Sequence, residues 1–165
     1  MPRIECDGIG TAFMQQLDKA IESDGALIKG AGDYEVYWYF DTESEGRPLL
    51  FVHSVNAAPS AIELKPLFQY FRASRPVFAP DLPGFGRSTR RVGTMTASEF
   101  AKNIASIIDE ITPSAPPDVI ALSLGCEFVA RAVVECGATV RSLTFISPTG
   151  FSSRQPPPPQ AQKRL

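Results

Sequence analysis

Ser123 lies at the centre of Ala121-Leu122-Ser123-Leu124-Gly125, a small-x-Ser-x-small run of the kind that forms a nucleophile elbow, with Ala121 where a first glycine is usual. A serine on so tight a turn has strained backbone, and only small residues two positions to either side let the flanking strand and helix pack closely. The same turn aims the free N–H groups and positive dipole end of the following helix at the place where an oxyanion would form. The chemistry implied is attack of a serine hydroxyl on an acyl carbon. The competing reading is an ordinary serine N-cap, since serine caps helices in any fold.

Two other segments have unusual chemistry. His53-Ser54-Val55-Asn56 follows the apolar run Leu49-Leu50-Phe51-Val52, and Asp81-Leu82-Pro83-Gly84-Phe85-Gly86-Arg87-Ser88 follows Pro76-Val77-Phe78-Ala79. The glycines of the second segment suggest a phosphate cradle. A dinucleotide fingerprint, however, needs a third glycine opening a helix, and a P-loop needs Gly-Lys-Ser/Thr; neither is present. His53 is the chain's one histidine. It could act as a general base, or it could tie its own loop down by hydrogen bonds, and the second reading is preferred because a catalytic role requires a demonstrated geometry toward the nucleophile. Past Ser123 there is no histidine and no aspartate, and the only carboxylates are Glu127 and Glu135, on the helix that follows the serine.

These segments need strands and helices to position them. Phe13, Leu17, Ala20 and Ile21 have helical spacing, so a helix is expected over 11–23, with Gly25 ending it. Tyr34 to Phe40 is aromatic and β-branched, closed by the polar turn Asp41 to Arg47, and reads as one arm of a hairpin whose other arm is Pro48 to His53. The uninterrupted apolar run at 49–52 fits a strand covered on both faces. Ala61, Ile62, Leu64, Leu67, Phe68 and Phe71 mark a helix, and 76–79 a short strand. Thr96 with Glu99 forms a capping-box pattern for a helix running through Ile111, with Phe100, Ile104, Ile107, Ile108 and Ile111 inward. Pro113, Pro116 and Pro117 break the chain. A strand at Val119 to Leu122, a helix at Leu124 to Val134 and a strand at Val140 to Ser147 complete an alternation that defines the α/β class, a mostly parallel sheet with right-handed crossovers. Gln155 to Leu165, with four consecutive prolines, is expected to be extended or disordered.

The bounds agree. With 165 residues, 44% hydrophobic and 21% charged, the chain suits one domain that buries roughly 70% of its unfolded surface. A net charge of −2 with scattered Lys and Arg gives no basic face for nucleic acid or an anionic membrane. Acidic residues near the start and the lack of an 18-residue apolar run fit neither a signal peptide nor a membrane span, so a cytoplasmic protein is expected. Cys6, Cys126 and Cys136 are odd in number and at no metal-ligand spacing, so reduced thiols are expected, with no metal and no cofactor.

Taken together, the order and spacing of the three motifs resemble the α/β-hydrolase family. Leu49 through Gly150, including Phe145-Ile146-Ser147-Pro148, is similar to the first half of that fold, so a truncated α/β-hydrolase core is expected over 34–151, between an N-terminal helical or turn segment (1–33) and the proline-rich tail (152–165). The resemblance implies that Ser123 is the nucleophile and that Leu124 N–H and Val55 N–H form the oxyanion hole. It implies structural roles near the site for His53, Ser54, Asp81, Gly84, Gly86, Ala121 and Gly125, with Ser54 standing where a glycine is usual. The family's triad runs Ser, acid, His in chain order, so the acid and the histidine are missing here. A serine at this position argues for ester, thioester or related acyl substrates, against dehalogenase or epoxide-hydrolase chemistry. The expected activity is that of a serine hydrolase, nearly inactive as this chain. The alternatives are a non-catalytic binding protein that uses Pro156 to Pro159, and one half of a split enzyme. A further expectation is self-association through an exposed edge strand at 140–147.

Overall fold

The computed structural model describes residues 17–90 and 93–149. Six strands form one sheet: β1 (Asp24–Lys29), β2 (Glu35–Asp41), β3 (Leu49–Val52), β4 (Val77–Pro80), β5 (Asp118–Leu122) and β6 (Ser142–Ile146). Their order across the sheet is β1-β2-β4-β3-β5-β6. β1 and β2 are antiparallel, as are β2 and β4, whereas β4, β3, β5 and β6 run parallel to one another. The mostly parallel α/β sheet is thus as expected.

The hairpin between the second and third strands is not formed. β4 lies between them, and β3 pairs with β4 and β5 instead. The four residues of β3 are all buried and suit an interior strand reached by crossovers on both sides. The polar connection that would have made the hairpin turn is stitched to the helix region after β3: Ser44 Oγ donates to Arg72 O (2.8 Å) and Arg75 Nε to Arg47 O (2.7 Å).

Sheet periodicity sorts the core into two layers. Val36, Trp38, Leu50, Val52, Val119 and Ala121 face α2 (Ala97–Ile111) and α3 (Gly125–Cys136). Tyr37, Tyr39, Leu49, Phe51, Val77 and Ala79 face a 3-10 turn (Ala61–Leu64) and α1 (Lys65–Phe71). Thr96 and Glu99 form the reciprocal capping box, and all five inward residues expected of α2 are buried. α3 ends where Gly137 turns left-handed, at φ 74°.

The N-terminal helix is corrected in part. Residues 17–23 are not helical and 24–29 form β1, while residues 11–16 lie outside the described region. Gly25, read as a helix terminator, is a strand residue facing Tyr37, whose ring lies close enough that a Cβ at Gly25 would meet it at 2.7 Å. Ile21 is fully buried against the α1 layer. The proline-rich tail and Cys6 lie outside the described residues. Among those described, no helix is long and apolar enough to cross a membrane, and no three His, Cys, Asp or Glu residues gather as a metal site.

Candidate functional site

The parallel strands deliver their carboxyl ends to one edge of the sheet, where open α/β folds bind ligands. β5 ends at Leu122 and α3 begins at Gly125, leaving two residues to reverse the chain. Ser123 does so with φ 52°, a left-handed conformation that a non-glycine residue adopts at a cost of about 1 kcal/mol or more. Its backbone is held from both sides: N–H donates to Ile146 O (2.9 Å), and C=O accepts from Cys126 N–H (3.1 Å) and Thr149 N–H (3.4 Å). Its hydroxyl makes no hydrogen bond among the described residues, so Ser123 is not acting as a side-chain cap, and Leu124, the N-cap position of α3, makes none either.

Small flanking residues are required because α3 starts directly against β3. Ala121 is fully buried, and a Cβ on Gly125 would overlap the backbone oxygen of His53. That contact joins two of the motifs: the helix N-terminus rests on the loop that follows β3. Leu124 N–H and Val55 N–H both lack a hydrogen-bond partner among the described residues, and both residues pack on the same core layer.

His53 is completely buried. Its Nε2 accepts from Leu82 N–H (2.8 Å), so Nδ1 carries the proton and donates to Ser54 O (2.5 Å). Both ring nitrogens are therefore engaged in tying the loop after β3 to the loop after β4. Burial holds the imidazole below its ordinary pKa of 6.5, against the opposing pull of the Ser54 carbonyl, Asp81 and Glu63. Protonation would also set an N–H against the Leu82 N–H. The unfolded chain therefore binds this proton more readily than the folded one, so stability is intact above pH 6.5 and falls as the pH drops below it. Urea unfolding between pH 7 and 5.5 should show stability falling as the pH drops, with at most about 1.4 kcal/mol per pH unit from this residue. His53→Gln should flatten that slope, and an unchanged slope would refute the assignment.

Ser54, in the position where a glycine is usual, is held by a carboxylate that sequence reasoning did not single out. Glu63 accepts from Ser54 N–H (2.9 Å), from Ser54 Oγ (2.8 Å) and from Asn56 Nδ2 (3.1 Å). Nothing in the local pattern marks Glu63, which sits in the 3-10 turn behind the Ser60 cap.

Asp81 is buried and saturated. Oδ1 accepts from Ala61 N–H (2.9 Å), and Oδ2 from Arg87 N–H (3.0 Å) and the Tyr39 hydroxyl (3.4 Å). Ser88 Oγ donates to Asp81 O and accepts from Tyr37 N–H, which closes the loop onto β2. Burial and the adjacent Asp81 carboxylate raise the Tyr39 phenol well above its ordinary value. Gly84 has φ 91°, and a side chain at Gly86 would run into the Asp81 carboxyl. Asp81→Ala would leave three donors unmet, and urea unfolding should show a loss of about 3 kcal/mol; a loss under about 1 kcal/mol would contradict this role.

A cavity of about 640 Å³ adjoins the site, lined among others by Val55, Phe85, Arg90, Met95, Glu99 and Phe100. Val55 is the residue it shares with the candidate oxyanion pair, while Ser123 and Leu124 do not line it, and Glu99 and Phe100 bring in the first turn of α2.

The chain is thus an α/β sheet domain in which a left-handed serine sits between a strand and a helix N-terminus at the carboxyl edge, where open α/β folds place their ligand sites. A profile of the alpha/beta hydrolase family matches residues 49–165, and the chain belongs to that family. The dihydrolipoyllysine-residue acetyltransferase component of the acetoin cleaving system of Cupriavidus necator is 35% identical over 151 residues, covering 89% of this chain and 39% of that protein. An alpha/beta hydrolase fold protein from Burkholderia ambifaria superposes with a TM-score of 0.64 at 22% identity, over 82% of this chain and 50% of the other. A probable hydrolytic enzyme from Pseudomonas aeruginosa PAO1 gives 0.67 at 20% identity, over 83% and 45%. The chain thus spans half or less of the length of these proteins.

Proposed function

We propose that this chain carries the nucleophile and oxyanion-binding part of a serine hydrolase site for esters, thioesters or related acyl groups, with Ser123 as nucleophile and Leu124 N–H and Val55 N–H as oxyanion donors. The observation that carries the reading is the left-handed Ser123 with a free hydroxyl at the start of α3. Two unpartnered N–H groups at the same edge of the sheet, the cavity that Val55 shares with Phe85 and Phe100, and the acyl-transfer name of the Cupriavidus relative support it.

The base is the missing element. His53 has both nitrogens engaged, and Glu127 and Glu135 are each paired with Arg131 along α3 (2.9 and 2.6 Å). The proton acceptor is therefore assigned to polypeptide outside these 165 residues, continuous with them or separate. Prolonged treatment with a fluorophosphonate, followed by peptide mapping, should place the adduct on Ser123; an adduct elsewhere with Ser123 unmodified would overturn the assignment. A cytoplasmic setting belongs to the same proposal, consistent with the free thiols Cys126 and Cys136.

β6 is the last strand of the sheet and, among the described residues, pairs with β5 alone. Leu143 is 38% exposed, and Ile120, Leu122 and Ile146 are only half-buried on the face away from α3. An apolar edge of this kind recruits other strands. Sedimentation at about 100 μM should show association that Thr144→Lys reduces; a wild-type monomer at that concentration would refute it.

A further inference from the structure

We propose that the cavity beside Val55 binds the acyl part of the substrate, and that its shape and charge select a flat apolar group ending in a carboxylate, which Arg90 holds. As an acyl pocket this rests on the assignment of Ser123 as nucleophile; as a binding site for an aromatic carboxylate it stands on its own residues.

The floor of the cavity is aromatic and flat. Phe85 stacks on Phe100 (6.4 Å between centroids, 19° between planes), and Phe100 stacks on Phe128 (4.6 Å, 9°). Val55 and Met95 add apolar wall. Flat apolar surfaces of this kind favour flat apolar ligands, through burial and offset stacking. The end near Val55 is where an acyl carbon would meet the oxyanion donor, so the remainder of the acyl group would run along Phe85 and Phe100 away from Ser123.

A charged group on the same lining sets the polar end of the ligand. Arg90 lines the cavity, its Nη2 donates to Gly86 O (3.2 Å), and no carboxylate pairs with it among the described residues. The acid on the same wall, Glu99, is turned to the start of α2, where its Oε2 accepts from Thr96 N–H (2.7 Å) and Thr96 Oγ1 (2.8 Å). Among the described residues lining this cavity, Arg90 is thus the charged group left to meet a ligand, and its planar fork matches a carboxylate. Arg90 also borders a second cavity of about 610 Å³, where Arg87 joins it alongside Asp18 and Asp81, but Phe100 and Met95 line only the first and give it the apolar wall a flat ligand needs. The carboxylate is therefore placed on the Phe85–Phe100 side.

The test uses 3-phenylpropanoate and its neutral isostere 3-phenylpropanamide, titrated against the full chain carrying Ser123→Ala, with binding read by NMR shifts. The carboxylate should bind about tenfold more tightly than the amide. Arg90→Gln should erase that difference and leave the amide unchanged, and Met95→Trp, which fills the cavity, should weaken both. Binding of neither probe, a preference that survives Arg90→Gln, or indifference to Met95→Trp would overturn the proposal. The readout is independent of Ser123. Arg90-dependent binding in a chain whose Ser123 never takes the fluorophosphonate would refute the nucleophile and keep the pocket, and the reverse pattern would do the opposite.

Discussion

Gly125→Ala is expected to destabilise the domain by about 3 kcal/mol, although alanine is the better helix former by about 1 kcal/mol. The sign is decided by what the new methyl group meets. Gly125 opens α3, and its Cβ would overlap the carbonyl oxygen of His53 and touch Val52 O at 3.3 Å. Both are backbone atoms at the end of β3, an interior strand paired on both sides, so neither can swing away as a side chain could. Relief requires α3 to lift off the sheet, which opens the packing of Phe128, Val129 and Ala132 against β5. It also shifts the loop carrying Ser54 and Val55 relative to Leu124, so the two unpartnered N–H groups would separate. The contrast is Gly137→Ala, where nothing lies within 4 Å and only the left-handed φ is strained; about 1 kcal/mol is expected there. Urea unfolding of both variants checks the pair. A Gly125→Ala protein as stable as wild type would mean that the contact between helix and strand end is looser than described.

Local chemistry made some of this architecture readable and hid the rest. The helix at 97–111 was legible because Thr96, Glu99 and the isoleucine stripe signal cap, start and buried face within one segment. The turn at Asp81 was legible because Gly84 and Gly86 are demanded by backbone angles and by the buried carboxyl they enclose. β1 was not, because a helical pattern running up to Gly25 looks like a helix and its stop. The reason for that glycine, the Tyr37 ring on the next strand, is a cross-strand contact with no local trace. The position of β4 between β2 and β3 is likewise a choice of partner, which periodicity does not encode.

At the candidate site the division follows the same line. The small residues around Ser123 announce a tight turn, and its left-handed φ is what such a turn demands. Ser147, with φ 46°, has the same handedness at the end of the adjacent strand, but no small residues flank it to signal a tight turn, and Phe145-Ile146-Ser147-Pro148 carried only a resemblance and no backbone angle. Glu63 is an ordinary exposed-looking acid until the fold brings it under Ser54 and Asn56. Residues that shape their own backbone can be read from sequence; residues that serve a distant loop cannot.

A fluorophosphonate should label Ser123 in this chain about 10⁴-fold more slowly than it labels a complete serine hydrolase, and His53→Gln should not change the rate. At neutral pH a serine hydroxyl without a base is a weak nucleophile, and loss of triad members leaves only the contribution of the oxyanion donors and binding. His53 cannot make up the deficit while Leu82 N–H occupies Nε2 and Ser54 O holds the Nδ1 proton. Releasing either nitrogen would expose a buried polar group and undo the link between the two loops. Ser123→Ala should abolish labelling at this position, and a circular dichroism check on His53→Gln separates a lost base from a lost fold. Rapid labelling that disappears in a folded His53→Gln variant would make His53 the base and overturn the structural role assigned to it. Slow labelling that accelerates on adding a second, histidine-bearing polypeptide would place the base outside this chain, as proposed. Rapid labelling of the single chain that survives His53→Gln would refute the account of Ser123 as an unactivated hydroxyl, because no other described group stands ready to take its proton.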